Sequence, residues 1–468
     1  MRQRRQAAGG IAGRVPMSYT RLGKSGQVRS DIVKATPQIL KGMRDFLPER
    51  MRLRRYVIST LTTIFERYGF EPLETPAVEY AETLEGKFGE EADKLIYKFE
   101  DRGGRQVGLR YDLTVPLARV VAMYPDLLKP FKRYQIAPVW RAEKPQKGRY
   151  REFWQCDVDV VGSSSMLADA EVVKIVHDGL RALGFESFVI KVNDRKVLTG
   201  LATYANVPPE QLGGVYRAID KLDKIGRAGV REELVAVGMP EDAVDRLLEL
   251  CGMQGSNREL LDTLRTKLAG IAVGAEGLAE LENLVQYLTD MDIPEGFYQL
   301  DFTMVRGLEY YTGPIFETVV ERPRIGSICG GGRYDRLVGL LGGRDYPATG
   351  LAFGLERLVD VIEELNMAPA VAAPATKVFV TVFGPELVGR SLAVAGELRR
   401  RGINTEVYLG SDRLGAQLRY ADRKGVPYVI IIGPDEVVAG VVVLRDMGTK
   451  EERRVPAAEA AALLGGDQ

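Results

Sequence analysis

Histidine and cysteine are scarce in this sequence, and their scarcity excludes several kinds of chemistry. The chain of 468 residues has one histidine, His177, and three cysteines, Cys156, Cys251 and Cys329, that form no CxxC pair. His177 lies in the helical pattern EVVKIVHDGLRAL, and a single histidine makes Ser-His-Asp triads, HExxH zinc sites and histidine proton relays poor candidates. Cysteines so far apart indicate neither a disulfide framework nor a zinc cluster, and they favour a reducing cytoplasm. We therefore expect no structural metal, and chemistry that depends on Arg, Glu, Asp and Tyr.

Net charge and long apolar runs are also absent. The chain has Lys+Arg 64 and Asp+Glu 64, so a nucleic-acid partner would be bound by local basic patches and not by a global field. The sequence contains no run of about 18 apolar residues, which a membrane-spanning helix would need. No membrane partner is therefore expected. Residues 1–36 are basic but lack the apolar core of a signal peptide, and we predict a disordered tail there.

The first half of the chain combines one strong helical pattern with several short strand-like runs. In MRLRRYVISTLTTIFERYGF, the spacing of Val57, Leu61 and Ile64 predicts a helix. The prolines in EPLETPAVEY predict an extended segment. Residues 95–162 contain the strand-like runs KLIYKFED, GRQVGLRYDLTV, FKRYQIAPVW and YREFWQCDVDVVG. Because their connections are too short for helical crossovers, we predict an antiparallel sheet.

The second half changes texture twice. Apolar residues three and four apart predict a helical insertion over residues 205–291. Strand-like segments return at 299–335, and ATGLAFGLERL predicts a strand followed by a helix. After the Ala/Pro-rich linker at 367–376, apolar strands and helices alternate, which predicts an α/β unit with a mostly parallel sheet.

The stretch RAEKPQKGRYREFWQ carries Arg141, Arg149 and Arg151 on a predicted hairpin, with Phe153 among them. A solvated hairpin would explain these charges. A polyphosphate clamp with an aromatic face for a base would explain them as well, because planar guanidinium groups bind phosphate with several donors. The stretch by itself leaves both interpretations open.

Four further segments carry residue types suited to binding a charged ligand. LRYDLTVPLARV contains an aspartate and a threonine, and RGLEYYTGPIFE sets an arginine beside two tyrosines. CGGGRYD supplies three glycines where a backbone could approach a ligand closely, and GLERL places an arginine at a helix start. Each segment alone has a structural explanation, but their combination favours a binding site.

Together these segments resemble the histidyl-tRNA synthetases, a family of class II aminoacyl-tRNA synthetases, from about residue 38 to about residue 455. The first, second and third motifs of the class are matched by YGFEPLETPAVEY, RAEKPQKGRYREF and ATGLAFGLERL. The histidine-specific elements of the family are matched by RGLEYYTGPIFE and CGGGRYD. The resemblance implies an α+β fold: an antiparallel six-stranded catalytic sheet with a helical insertion, a C-terminal α/β anticodon-binding domain, and a homodimer formed through the first motif.

The predicted division into domains follows from the changes in sequence pattern along the chain and from the family resemblance. It comprises a tail at 1–36, a catalytic domain at 37–204 and 292–366, the insertion at 205–291, the linker at 367–376 and the anticodon-binding domain at 377–468. In the last domain, Arg413, Arg419, Arg423 and Lys424 form a candidate basic strip for tRNA, although a solvated helix face explains them equally well.

The resemblance also implies a reaction and its residues. L-Histidine and ATP, which is accompanied by Mg²⁺, form histidyl-adenylate and pyrophosphate, and histidine then passes to the 3′-terminal adenosine of tRNA(His). The implied catalytic residues are Arg306 and Arg141. The implied ATP-binding residues are Arg141, Glu143, Arg149, Phe153 and Arg357. The implied histidine-binding residues are Asp112, Thr114, Arg141, Gln155, Asp159, Arg306, Tyr310 and Tyr311.

Two departures and three alternatives accompany this hypothesis. Lys144 replaces an arginine common in the family, and Glu309 replaces the usual aspartate, and both substitutions keep the charge. The main alternative is the histidine-binding regulatory paralogue of ATP phosphoribosyltransferase, which lacks an anticodon-binding domain. Another class II synthetase is opposed by RGLEYYTG, and a histidine- or tRNA-sensing domain of a stress kinase is opposed by the absence of HRD and DFG motifs.

Overall fold

The computed structural model describes residues 36–86, 93–146, 148–305, 310–368 and 375–465. Residues 1–35 of the predicted tail, part of the linker, Arg306 and Glu309 lie outside these residues. The chain divides into two units, Met1–Leu40 and Lys41–Gln468. Residues 36–40, the described part of the first unit, form no helix or strand, and every element below belongs to the second unit.

The predicted first helix is confirmed as Pro48–Arg67. It buries Val57, Leu61 and Ile64, the positions that the apolar spacing predicted. The extended segment after it contributes two short strands, β1 at Glu71–Pro72 and β2 at Val78–Tyr80. A short helix, Ala81–Leu84, and strands β3 at Lys98–Glu100 and β4 at Gln106–Leu109 follow. Strands β2, β4 and β3 form a small antiparallel sheet in that order.

The main sheet has eight strands, arranged β1-β5-β6-β11-β10-β9-β7-β8. The six strands from β5 to β7 are antiparallel to their neighbours, as predicted, and β1 and β8 add one parallel strand at each edge. Short edge strands of two and three residues carry little sequence signal, so the resemblance to a six-stranded sheet did not include them. The remaining strands are β5 Phe131–Trp140, β6 Glu152–Val161, β7 Val189–Asp194, β8 Tyr298–Leu300, β9 Pro314–Val319, β10 Cys329–Arg333 and β11 Ala348–Gly354.

Helices cover this sheet and seal its core. Met166–Ala182 packs against Pro48–Arg67 and β11, and Leu355–Glu364 packs against Pro48–Arg67 and β6. His177 lies in Met166–Ala182, where its ring meets Phe297 edge-on with 5.0 Å between centroids. Glu356 joins three elements, because it accepts hydrogen bonds from Arg54 Nη1 at 2.6 Å and from the Trp154 backbone N–H at 2.8 Å.

A run of helices separates β7 from β8. The helices are Arg195–Tyr204, Leu212–Ile219, Leu222–Ala236, Glu241–Cys251, Asn257–Lys267 and Ala272–Asp290. Their apolar faces pack together, and Ala272–Asp290 returns against Arg195–Tyr204. Across the described ranges, no helix is long and apolar enough to cross a membrane.

The C-terminal part forms a second sheet, of five strands in the order β13-β12-β14-β15-β16. Strand β12 is parallel to β13 and β14, but β15 is antiparallel to both β14 and β16, so the prediction of a mostly parallel sheet holds for only half of it. A parallel crossover needs about a dozen residues, far more than the link 447–451 between β15 and β16 provides. The elements are β12 Val378–Val380, helix Val388–Arg400, β13 Thr405–Val407, helix Leu414–Lys424, β14 Tyr428–Ile431, helix Pro434–Ala439, β15 Val442–Asp446, β16 Glu452–Val455 and helix Ala457–Gly465.

The three glycines of CGGGRYD let β10 approach its neighbours closely. Gly331 lies opposite Leu351 in β11 and Phe316 in β9. A Cβ atom on Gly331 would lie 2.0 Å from the Gly350 carbonyl oxygen and 2.5 Å from the Leu351 Cα. Because these contacts are to backbone inside a sheet, they cannot relax as a flexible side chain could.

We expect Gly331→Ala to lower the free energy of unfolding by on the order of 3 kcal/mol, since an overpacked sheet must shift its backbone. Chemical denaturation monitored by circular dichroism measures this change. Gly389→Ala is the matched control, because Gly389 is exposed on the helix Val388–Arg400 and no atom lies within 4 Å of an added Cβ. An alanine there should stabilise the helix slightly. Equal stability of the two variants would contradict the close approach of β10 and β11.

Candidate active site

A cavity of about 440 Å³ opens over the centre of the eight-stranded sheet. Its volume suits a small ligand with a few polar anchoring groups. Every predicted site residue within the described ranges lines it, so the structure brings together segments from across the sequence. These residues are Asp112, Thr114, Arg141, Glu143, Arg149, Phe153, Gln155, Asp159, Tyr310, Tyr311 and Arg357.

Strand β6 supplies the floor of the pocket. Successive strand residues face opposite sides, so Phe153, Gln155, Asp157 and Asp159 share one face. β5 and β11 pair with β6 on its two sides and hold this row in the sheet. A Cβ atom on Gly350, which lies opposite Asp159, would be 2.0 Å from the Asp159 Oδ1, so glycine leaves the room that this carboxylate occupies.

Asp159 is the centre of a buried polar network. Its Oδ2 lies 2.6 Å from Nη2 of Arg133, which is fully buried, and the Tyr334 hydroxyl donates a hydrogen bond to its Oδ1. Burial raises the pKa of Asp159, while the Arg133 charge and the Tyr334 hydrogen bond oppose that shift. Tyr334 also meets Tyr310 edge-on, with 5.8 Å between ring centroids.

Asp112 and Thr114 lie at the start of a helix, not in the strand-like run that the sequence predicted. The helix spans Thr114–Met123, and the Asp112 Oδ1 accepts a hydrogen bond from the Val115 backbone N–H at 3.1 Å. Pro116 falls in the first turn, where its missing N–H costs nothing. Burial raises the pKa of Asp112 to about 6, although hydrogen bonding to Val115 and the charge of Arg141 oppose the shift.

Three arginines, Arg141, Arg149 and Arg357, also line the pocket. Arg141 Nε donates to the Tyr111 carbonyl at 3.0 Å, and its guanidinium lies 5.1 Å from the centroid of the Phe153 ring. Arg357 Nε donates to the Gly148 carbonyl at 3.0 Å, and Arg149 lies 3.8 Å from Glu143 in a half-exposed position. Planar cations therefore line the cavity, and that of Arg141 lies beside an aromatic ring.

The tyrosine pair of RGLEYYTG closes the cavity from the side. The Tyr310 hydroxyl lies 3.2 Å from the Tyr311 hydroxyl, and the two rings are 4.4 Å apart between centroids. Tyr311 is buried, whereas Tyr310 is half-buried. Arg306, predicted from the same segment, lies outside the described residues.

Sequence reasoning missed three residues of the site: Arg133, Asp157 and Tyr334. Tyr334 belongs to CGGGRYD, a segment singled out only for its glycines. Asp157 alternates with Val158 on β6, so the strand period placed it on the face of Asp159 without giving it a role. Arg133 carried no signal, because an arginine in FKRYQIAPVW is as consistent with a solvated strand as with a buried ion pair. Among the described residues, no group of three or more His, Cys, Asp or Glu could hold a metal ion.

Comparisons with known proteins agree with this geometry. A family model described as histidyl-tRNA synthetase matches residues 42–358, and one described as anticodon binding domain matches residues 377–465. A histidine–tRNA ligase of Gloeobacter violaceus is 43% identical over 91% of this chain and 97% of its own length. One of Aeropyrum pernix is 46% identical over the same shares of the two chains.

Solved structures give the same result. The histidyl-tRNA synthetase of Nostoc sp. matches with a TM-score of 0.82 and 34% identity over 92% of this chain and 99% of its own. A Bacillus halodurans structure described as an ATP phosphoribosyltransferase regulatory subunit/histidyl-tRNA synthetase matches with a TM-score of 0.71 and 24% identity, over 85% of this chain and 99% of its own, which shows a shared fold alone. With a family model over most of its length and relatives above 40% identity along nine-tenths of it, the chain belongs to the histidyl-tRNA synthetase family.

Proposed function

We propose that the chain joins L-histidine to tRNA(His) in two steps at this pocket. First, a carboxylate oxygen of histidine attacks the α-phosphorus of ATP, and the bond to pyrophosphate breaks. The terminal adenosine hydroxyl of the tRNA then attacks the adenylate carbonyl carbon, and AMP leaves. The observation that carries this proposal is that arginines and buried carboxylates line one cavity. A zwitterionic amino acid and an anionic nucleotide need both.

The arginines of the cavity are proposed to bind ATP. Arg141 would contact both the α-phosphate and the attacking carboxylate, because its guanidinium lines the cavity 5.1 Å from the centroid of the Phe153 ring. Arg149 and Arg357 would hold the γ-phosphate region, and Phe153 would stack on adenine. Mg²⁺ would enter bound to ATP, with Glu143 as a carboxylate that lines the same cavity. The proposed catalytic role of Arg306 rests on the family resemblance.

The buried carboxylates and polar side chains of the cavity are proposed to bind histidine. Asp112, Thr114 and Gln155 would accept hydrogen bonds from the ammonium group. Asp159 and Tyr311, with Tyr310 beside them, would pair with the two imidazole nitrogens. Tyr334 joins this set because its hydroxyl fixes the Asp159 carboxylate. A pocket that pairs both nitrogens would reject analogues without them, whose binding leaves buried polar groups unpaired.

The domain division proposed from the sequence is kept. The catalytic domain would comprise 37–204 and 292–366, with the insertion at 205–291, the linker at 367–376 and the anticodon-binding domain at 377–468. Arg413, Arg419 and Arg423 are exposed at or on the helix Leu414–Lys424, which supports a tRNA strip there, while Lys424 is paired with Glu406.

The regulatory paralogue of ATP phosphoribosyltransferase is not favoured, because that paralogue lacks an anticodon-binding domain. The proposed compartment is the cytoplasm, in keeping with three separate, buried cysteines.

A homodimer is proposed on the small sheet β2-β4-β3. Directly opposite residues of antiparallel strands share a face, and both Tyr80 and Phe99 lie opposite Val107. Tyr80 is 50% exposed and Phe99 is 45% exposed, so this face presents apolar rings to solvent. On the opposite face, Gly108 packs toward Leu84 and Ile96. A second copy of the chain would cover the apolar face.

We expect the purified protein to catalyse ATP–pyrophosphate exchange with histidine and with none of the other nineteen amino acids. Arg306→Ala should abolish the exchange, because the charge on the α-phosphate would lose its main donor. Arg390→Ala is the control, since Arg390 is exposed on the helix Val388–Arg400, outside the cavity. Histidine binding without any exchange would overturn the enzyme proposal in favour of a regulatory role.

Asp159→Asn should lower kcat/KM for histidine by on the order of 100-fold or more, because an imidazole nitrogen loses its partner and Arg133 loses its counter-charge. Tyr334→Phe removes only the hydrogen bond to Asp159 and should cost about tenfold. Steady-state exchange kinetics give both values, and thermal unfolding shows whether each variant is folded. An unchanged KM and kcat in folded Asp159→Asn would rule out this residue as a reader of the side chain.

Phe99→Asp should halve the molar mass measured by light scattering, because a buried charge would oppose association of the apolar faces. Leu409→Asp places the same charge on a residue that is 96% exposed in the C-terminal part and should leave the mass unchanged. A Phe99→Asp protein that keeps the mass of a dimer would show that this face is not the interface.

A further inference from the structure

Three buried acceptor atoms on the pocket floor have no hydrogen bond within the part of the chain that the structure describes, and two of them have no ion-pair partner either. The two are the Oε1 of Gln155 and the Oδ1 of Asp157 on the cavity face of β6, whereas the third, the Oδ2 of Asp159, lies 2.6 Å from Arg133 Nη2. Buried acceptors are nearly always hydrogen-bonded in folded proteins, so two unpaired acceptors two residues apart in one cavity indicate a ligand with several donors. Gln155 already has a proposed role, but Asp157 has none.

The surroundings of Asp157 disfavour a second carboxylate charge. Arg133, the nearest cation on β5, forms its ion pair with Asp159 at 2.6 Å. Burial raises the pKa of Asp157 well above its usual range; Arg133 opposes that shift, and Asp159 and Asp112 reinforce it. The titratable or charged groups around it are Cys156 and Asp159 on β6, Arg133 on β5, Arg110, Asp112 and Arg141 on the flanking segments, and Tyr334 after β10.

We propose that Asp157 is a further histidine-binding residue, which carries a proton in the empty pocket and releases it to solvent when the ammonium group of histidine binds beside it. This inference rests on the proposed function of the pocket. An ammonium group offers three N–H donors and a positive charge, and a cation at hydrogen-bond distance favours the ionised form of a carboxylic acid. No bond other than the O–H bond breaks, and water or buffer accepts the proton.

The proton belongs to Asp157 and not to its neighbours for geometric reasons. Asp159 has Arg133 at 2.6 Å and a hydrogen bond from the Tyr334 hydroxyl, and both contacts favour its ionised form. Asp112 accepts a backbone N–H from Val115, a hydrogen bond that favours its charged form. Asp157 has no comparable donor on its Oδ1 among the described residues. The ammonium of the substrate would supply that donor.

Titration calorimetry of histidine binding in two buffers with different ionisation enthalpies tests this proposal. At about pH 8 free imidazole is uncharged and Asp112, with a pKa of about 6, is already ionised, so neither contributes protons. We expect the wild-type protein to release up to about one proton more than Asp157→Asn for each histidine bound. The probe 3-(imidazol-4-yl)propionate, which lacks the ammonium group, should release none from either protein.

The controls separate a binding role from a structural one. Asp345→Asn removes an exposed carboxylate and should leave the proton count at the wild-type value. If Asp157→Asn does not fold, Asp157→Glu keeps a carboxylic acid and should keep the release. Equal proton counts in wild type and folded Asp157→Asn would overturn the inference while histidine-dependent exchange could still stand. Absence of both exchange and histidine binding would instead overturn the proposed function.

Discussion

The ion pair between Arg133 and Asp159 is the interaction on which the pocket depends. Both groups are buried between β5 and β6, where each charge would be costly without the other. Tyr334 extends the network across β11 to the segment after β10, and its ring carries the contact on to Tyr310. A charge buried under the floor thereby fixes the position of the carboxylate that would face the substrate side chain. The same burial makes a further carboxylate on β6 hard to ionise without a ligand.

Room for this network comes from glycine. A Cβ on Gly331 of β10 would lie 2.0 Å from the Gly350 carbonyl oxygen of β11, and a Cβ on Gly350 would lie 2.0 Å from the Asp159 Oδ1 of β6. The two histidine-specific segments therefore have different roles. RGLEYYTG contributes side chains to the cavity, whereas the glycines of CGGGRYD lack side chains and let neighbouring strands pack closely. Glu356 supports the opposite end of β6, because it receives hydrogen bonds from Arg54 and from the backbone of Trp154. The pocket is held from both ends of one strand.

Local sequence patterns predicted the elements they encode directly. The helical spacing of Val57, Leu61 and Ile64 predicted a helix that is confirmed, and the alternation in DVDVVG placed Asp157 and Asp159 on one face of β6. Patterns failed where a distant or capping contact decides the structure. LRYDLTVPLARV looked like a strand, but the Asp112 side chain caps a backbone N–H and starts a helix. The C-terminal sheet looked mostly parallel, but β15 pairs antiparallel with both β14 and β16, and the link 447–451 to β16 is too short for a parallel crossover.

By itself the sequence determined the family, the order of the segments and the residue types of the site, because these are written in local motifs and their spacing. Only the tertiary structure decided which of the charged residues are buried together. Nothing in FKRYQIAPVW distinguishes Arg133 from a solvated cation, and nothing in DVDVVG separates an ion-paired aspartate from an unpaired one. A residue is buried and paired only when strands that are distant in the chain pack together. The free energy of its charge depends on that burial and on the distance to an opposite charge.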